Sequence, residues 1–246
     1  MTSASGERPV AAVPAWILVL LAASLCAQIA LQAGRGAPVR SAADLPPAPS
    51  AAALRLAGLG EPAALARLAM VWLLAFDSRA GNATPYQRLD YERLVGWLDA
   101  ILAVDPRSNY PLFAAARLYA ENDDPEKARR MCEFVFARFA EAPNRRWPLL
   151  AHVALIAKHR LHDLPLALRY ASALQRQTTD PTIPSWARQM EIFILEAMDE
   201  LEAAKIMLGG LLATGRIGDA EERRFLEGRL EEIERRLKAG ASKASR

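Results

Sequence analysis

The chain has 246 residues, of which 52% are hydrophobic and 24% charged, and its formal net charge is +3. That balance excludes wholesale disorder and leaves material for one sizeable globular region plus an apolar anchor. The mild charge lacks the basic stripe with interleaved aromatics that marks a nucleic-acid reader, and Cys26 and Cys132, far apart in sequence, make no disulfide framework and set no redox compartment.

Residues 1–9 form a short polar tail. From Val10 to Leu31 only Pro14, Ser24 and Gln28 interrupt an apolar run, which predicts a transmembrane helix over 10–33. At about 1.5 Å per residue such a run matches a bilayer core of roughly 30 Å. A cleaved signal peptide with Leu31-Gln32-Ala33 as processing site is the rival, although secretory cores usually hold about 7–15 apolar residues. A lipoprotein reading of Cys26 is set aside, because Leu25 precedes it where a small residue is required. The very short tail suits an uncleaved signal anchor with an extracytoplasmic body, whereas Arg8 before the run against Arg35 and Arg40 after it leans the other way. We expect the former, in a single-pass protein of a bacterial inner membrane.

Residues 34–50 are rich in Ala and Pro and read as a semi-stiff spacer. Ser50 is placed to cap a short helix over Ala51 to Leu59, and Pro62 opens an apolar helix to about Phe76 in which Arg67 is the only charge. At about fifteen residues this helix is too short to span a bilayer, so we expect it buried under the body. Its alternative role, contact with other membrane chains in an accessory subunit, would show as an exposed apolar patch. Asn82-Ala83-Thr84 in the following polar loop matches a glycosylation sequon and is read as a chance tripeptide. From Leu89 to Val104, Leu94, Trp97, Leu98, Ile101 and Leu102 fall at helical spacing and define one buried face, which Asp105-Pro106 ends.

Beyond this point an eight-residue pattern occurs three times: Asp, three residues, Ala, any residue, a basic residue, an apolar one. The copies are Asp124–Met131, Asp163–Tyr170 and Asp199–Ile206, with landmark alanines Ala128, Ala167 and Ala203 spaced 39 and 36 residues apart. Each Asp is placed to cap a helix and each Ala to let a neighbouring helix cross closely. Pro111, Pro148 and Pro184 are expected to open the preceding helices. The predicted core stripes are Met131, Cys132, Val135 and Phe139; Tyr170, Ala171 and Leu174; and Ile206, Met207 and Leu211, with Cys132 a buried apolar cysteine rather than a reactive thiol. A period in this range predicts a stacked helical array.

Ala100 to Ala120, AILAVDPRSNYPLFAAARLYA, resembles the junction between two tetratricopeptide repeats: a helix ending at Asp-Pro, a polar turn, then a helix with small packing residues and a Tyr near its end. The resemblance covers roughly residues 85–213. The repeats are longer than the family's usual period of about 34 residues and lack its Trp-Leu-Gly signature, so a shallow or irregular solenoid is as compatible as a regular superhelix. The fold class expected is all-α: an N-terminal transmembrane helix, an Ala/Pro-rich spacer, antiparallel helix pairs stacked as a short solenoid over 51–218, a C-terminal capping helix over 219–238 and a disordered basic tail at 239–246. In the capping helix Leu226, Leu230, Ile233 and Leu237 form a narrow stripe, with Glu231/Arg235 and Glu232/Arg236 set to pair; a homodimeric coiled coil there is the alternative, not favoured.

A nucleophile elbow, phosphate-binding loop, zincin motif and Cys-x-x-Cys are absent from the sequence, so neither catalysis nor a cofactor is expected. His159 and His162 in KHRLHD read as solvated turn histidines rather than metal ligands. The resemblance implies that the first helix of each pair lines a concave groove. Counting back from the landmark alanines places Phe113, Arg117 and Ala120, then His152, Ile156 and His159, then Arg188, Ile192 and Leu195 on that surface, with Arg160 adjoining. The candidate partner-binding residues are therefore Phe113, Arg117, His152, His159, Arg160 and Arg188, suited to a protein or peptide with acidic or carboxylate groups. Asn144-Arg145-Arg146-Trp147 offers a second basic patch, with Trp147 as a helix staple. The function expected is a membrane-anchored interaction scaffold; an enzyme with His152, His159 and Arg188 converging in one pocket is the rival from another class.

Overall fold

The computed structural model describes residues 14–33, 45–58, 60–76, 85–214, 217 and 219–244. Among them are eleven α-helices, two 3-10 turns and no strand, so the chain is all-α. The tail 1–9, residues 34–44 of the spacer and the sequon lie outside the described residues. The chain divides into two units, residues 1–43 with 78–83, and residues 44–77 with 84–246.

The first unit contains α1, Ala15–Ala33, 19 residues with no charged side chain. Its apolar core, Ala15–Leu31, is short, and no single helix among the described residues is long and apolar enough to cross a membrane. Residues 10–13, which the expected span included, are outside the described residues.

The second unit is the helical body, and it starts earlier than expected. Leu45 is fully buried, its carbonyl accepts from Arg93 Nη1 at 2.8 Å, and the Pro46 carbonyl accepts from Trp97 Nε1 at 2.8 Å, so residues 45–50 belong to the body rather than to a free spacer. Ser50 Oγ accepts from the Ala53 amide and caps α2, Ala51–Ala57. In α3, Pro62–Leu74, the residues Ala66, Ala69, Met70 and Leu73 are buried. They pack on α4, Tyr91–Val104, whose expected core face of Leu94, Trp97, Leu98, Ile101 and Leu102 is buried throughout. Trp97 stacks on Trp72 with ring centroids 4.6 Å apart.

Seven helices follow: α5 (Tyr110–Arg117), α6 (Pro125–Phe139), α7 (Pro143–His159), α8 (Leu164–Gln177), α9 (Ser185–Ala197), α10 (Leu201–Ala213) and α11 (Ala220–Ala244). Each packs on the next, and α5 also meets α7, which also meets α9, so the stack is solenoid-like. Polar links repeat along it between residues 33 to 40 apart in sequence, the length of one helix pair. Asn109 and Asn144 serve as equivalent joints: Asn109 Oδ1 accepts from Arg145 Nε at 3.3 Å, and Asn144 Oδ1 accepts from the Thr179 amide at 2.8 Å.

The repeated pattern is realised at two of its three copies. Asp124 Oδ1 accepts from the amides of Glu126 and Lys127 and caps α6, while Asp163 Oδ1 accepts from the Leu166 amide at 2.9 Å and caps α8. Ala128 and Ala167 are buried at helix crossings, and both predicted stripes that follow them are buried. The third copy is one residue out of register. Asp199 sits at φ 62, in the left-handed region, and His162 occupies the same conformation at φ 52 just before Asp163. The structural counterpart of Asp163 is therefore Glu200, which opens α10 without a side-chain cap, and that of Ala167 is Ala204, fully buried. Ala203 is only partly buried and Ile206 is 72% exposed, so the third predicted stripe gives way to Leu201, Ala204 and Leu208.

Three further expectations are corrected. Helix α7 opens at Pro143, not Pro148, which lies inside it and removes one N–H from the ladder without ending the helix. The C-terminal helix continues to Ala244 through most of the segment expected to be a tail. Leu226 and Ile233 of α11 are fully buried, and its Arg236 bonds Asp199 at 2.8 Å rather than pairing with Glu232. The buried Glu196 of α9 takes a bidentate pair from Arg229 at 2.6 and 2.9 Å. Hydrophobic packing forms two clusters, one running from Leu45 to α9 and one shared by α9, α10 and α11.

Candidate interaction face

Helices α5 and α7 run side by side and are tied at both ends. Asn109 and Arg145 bond at one end, and Arg117 Nη1 lies 3.1 Å from His152 Nδ1 at the other. A guanidinium only donates, so His152 Nδ1 accepts and the ring proton sits on Nε2, which lies 3.3 Å from Glu121 Oε1 without completing a hydrogen bond. Partial burial, with Arg117 adding to it, holds the imidazole below its ordinary value, while Glu121 opposes the shift. Neutral His152 thus keeps Arg117 in place on the surface.

Between the two ties the surface is apolar. Tyr110 and Phe113 on α5 are 42% and 49% exposed there, and Leu155, past His152 on α7, is 41% exposed. Exposed or half-exposed residues of α7 recur as Pro148, His152, Leu155 and His159, one helical stripe. At the start of α7, Trp147 packs edge-on against Trp186 of α9 with centroids 5.7 Å apart, which links the two helices instead of stapling one.

The six candidates named from sequence divide. Phe113, Arg117, His152 and His159 lie on this α5–α7 face. Arg160 is committed elsewhere: it pairs with Glu121, reaches Asp123 at 3.3 Å and donates to the Asn122 carbonyl at 3.3 Å, so its charge is balanced within the body. Arg188 shares no contact with Arg117 or His152 among the described residues. It donates to the Ile183 carbonyl at 3.1 Å and lines a separate cavity of about 710 Å³ with Thr178, Gln189, Ile192, Leu211 and Glu222. The companions Ala120, Ile156, Ile192 and Leu195 are buried in the cores and leave the surface. The basic patch at 144–147 dissolves too, because Arg146 is 1% exposed and bonded to Glu141 at 2.7 Å and to the Pro106 and Arg138 carbonyls.

Counting from sequence missed Tyr110, Leu155 and Glu121. The count assumed continuous α-helix, but α5 stops at Arg117 and the chain tightens into a 3-10 turn at Tyr119–Glu121, which buries Ala120 and turns Glu121 toward α7. That break is fixed by a buried network in which the Tyr91 hydroxyl donates to the Tyr119 carbonyl at 3.2 Å and accepts from Asn122 Nδ2 at 2.8 Å. The surrounding burial raises the Tyr91 phenol to about 12. Cys132 is likewise a core residue, with burial pushing its thiol up to about 12. Among the described residues no group of three or more His, Cys, Asp or Glu gathers as metal ligands would.

The fold and the face together define a class, a solenoid-like helical array with an exposed seam of aromatic and aliphatic side chains and a tethered arginine at each end. No family model, curated protein or solved structure matches this chain.

Proposed function

We propose that the protein is a membrane-anchored, tetratricopeptide-like scaffold that binds a protein or peptide partner on the α5–α7 face and performs no catalysis itself. The observation that carries this reading is the seam, in which exposed Tyr110 and Phe113 share a stripe of α5 with Arg117, itself held 3.1 Å from His152, whose own stripe on α7 carries exposed Leu155. Rigid aromatic anchors next to one oriented guanidinium suit a segment offering an apolar side chain and a carboxylate. The apolar segment 10–33 is the anchor in this reading, with the body on the extracytoplasmic side. Cross-linking and affinity capture of the detergent-solubilised full chain supply the partner. Phe113→Ala with Arg117→Ala should then weaken its binding about tenfold or more, since one charge-assisted hydrogen bond contributes about 1.5–3 kcal/mol. Arg223→Ala, on the exposed side of α11, serves as control; equal loss in that variant, or none in the double variant, removes the seam as the site.

A further inference from the structure

We propose that α2 and α3 form an interfacial docking element that lays Leu56, Leu68 and Val71 into the headgroup layer of an anionic bilayer. Leu56 on α2 is 79% exposed, and Leu68 and Val71 are 66% and 60% exposed on α3, whose other side is already committed to the core through Ala66, Ala69, Met70 and Leu73. Helix α3 is therefore apolar on two sides, and among the described residues only one of them is covered. The two helices meet at 111°, with Gly60 at φ +93 between them, so α2 and α3 are one bent pair. Because its inner face packs on α4, α3 stays with the body and lies on a membrane rather than threading it.

Lipid is the occupant that the chain itself indicates. From Leu45 to Phe76 there is one acid, Glu61, against two arginines. Arg55 donates to the Ala103 carbonyl at 2.7 Å, and Arg67 stands exposed beside Leu68. The inference rests on the anchor reading: residues 34–44 alone separate α1 from the buried Leu45, and eleven residues reach at most about 36–40 Å. A bilayer that holds the anchor keeps Leu45 within that reach, and Leu45 shares its core cluster with Leu54 of α2 and with Ala66, Ala69, Met70 and Leu73 of α3.

The test uses the full chain, with Cys26→Ser and a single new cysteine carrying an environment-sensitive fluorophore, in vesicles of phosphatidylcholine with phosphatidylglycerol. Labelled Leu68→Cys should lose most of its emission to lipids brominated near the headgroup, at a depth of about 5–10 Å, and lose less in vesicles of phosphatidylcholine alone. Labelled Phe225→Cys, on α11, should keep its emission. An unchanged thermal midpoint shows that the exposed substitution leaves the body folded. If the protein resists alkaline extraction yet Leu68→Cys is unquenched, the docking inference fails and the anchor stands. A protein that washes off the vesicles overturns both. Shielding of the probe that grows with protein density, without lipid quenching, assigns the edge to a second chain and overturns the lipid assignment.

Discussion

At the scale of single residues, small side chains and charges were legible wherever the local backbone was ordinary. The alanines at 128 and 167 announce two helix crossings, but the third was misplaced by one position because Asp199 adopts a left-handed conformation and delays the start of α10. Asp199 looked like a cap by its type; its carboxylate instead answers Arg236. The corrected register predicts that Ala167→Leu and Ala204→Leu each cost about 1–3 kcal/mol by overpacking, while Ala203→Leu costs less, as read from urea midpoints. A comparable loss at Ala203 would contradict the register. His152 carries a second expectation. Its folded-state affinity for a proton lies below the ordinary imidazole value of 6.5, so the unfolded chain protonates first as pH falls. This contribution to stability is complete above 6.5 and is lost as pH falls through the lower folded value, with stability rising with pH in between. His152→Asn should flatten that part of the stability–pH profile; an unchanged slope would place the titration elsewhere.

At the scale of helices, amphipathic periodicity located nearly every element, and the errors fell where a helix begins or ends for tertiary reasons. Pro148 looked like an opening residue because proline is favoured in first turns, yet Pro143 opens the helix and Arg146 between them is buried against Glu141. The expected i,i+4 pairs of the last helix assumed that its charges answer one another. Arg223 does pair with Glu227 and Arg235 with Glu232, but Arg229 and Arg236 both reach Glu196, whose side chain is 6% exposed, so α11 is docked by charge as well as by Leu226 and Ile233. Glu196→Ala should lower stability by about 1–2 kcal/mol, less than a fully buried pair because both arginines remain partly hydrated. A double-mutant cycle with Arg229→Ala measures the coupling, and a value indistinguishable from zero would mean that packing alone holds the helix.

At the scale of the molecule, the stack was legible from its period, whereas the surface it presents was only half so. Phe113, Arg117, His152 and His159 share a face because α5 and α7 lie together; Arg188 does not join them, since α9 turns it toward a cavity of its own. Sequence spacing carries the rotation of one helix but not the rotation between helices. Among the described residues both hydrophobic clusters consist of residues from Leu45 onward, so deletion of residues 1–33 should leave a helical body with an unchanged thermal midpoint. Loss of cooperative melting in that product would show that α1 takes part in the body's fold.

The division of packing at α9 has a kinetic consequence. Met190 and Ile194 belong to the large cluster, whereas Ile192 and Leu195 face the small one with α10 and α11. Helix α10 also carries Gly209 and Gly210 in its interior, each costing about 0.5–1 kcal/mol relative to alanine. We therefore expect the last two helices to form a weaker cooperative unit that opens by itself while α6, α7 and α8 remain closed. Deuterium should enter the amides of α10 and α11 earlier than those of α6 to α8 under native conditions. The seam between α5 and α7 lies outside that unit, so if the proposed function holds, the residence time of a partner there would not follow the opening of the C-terminal end.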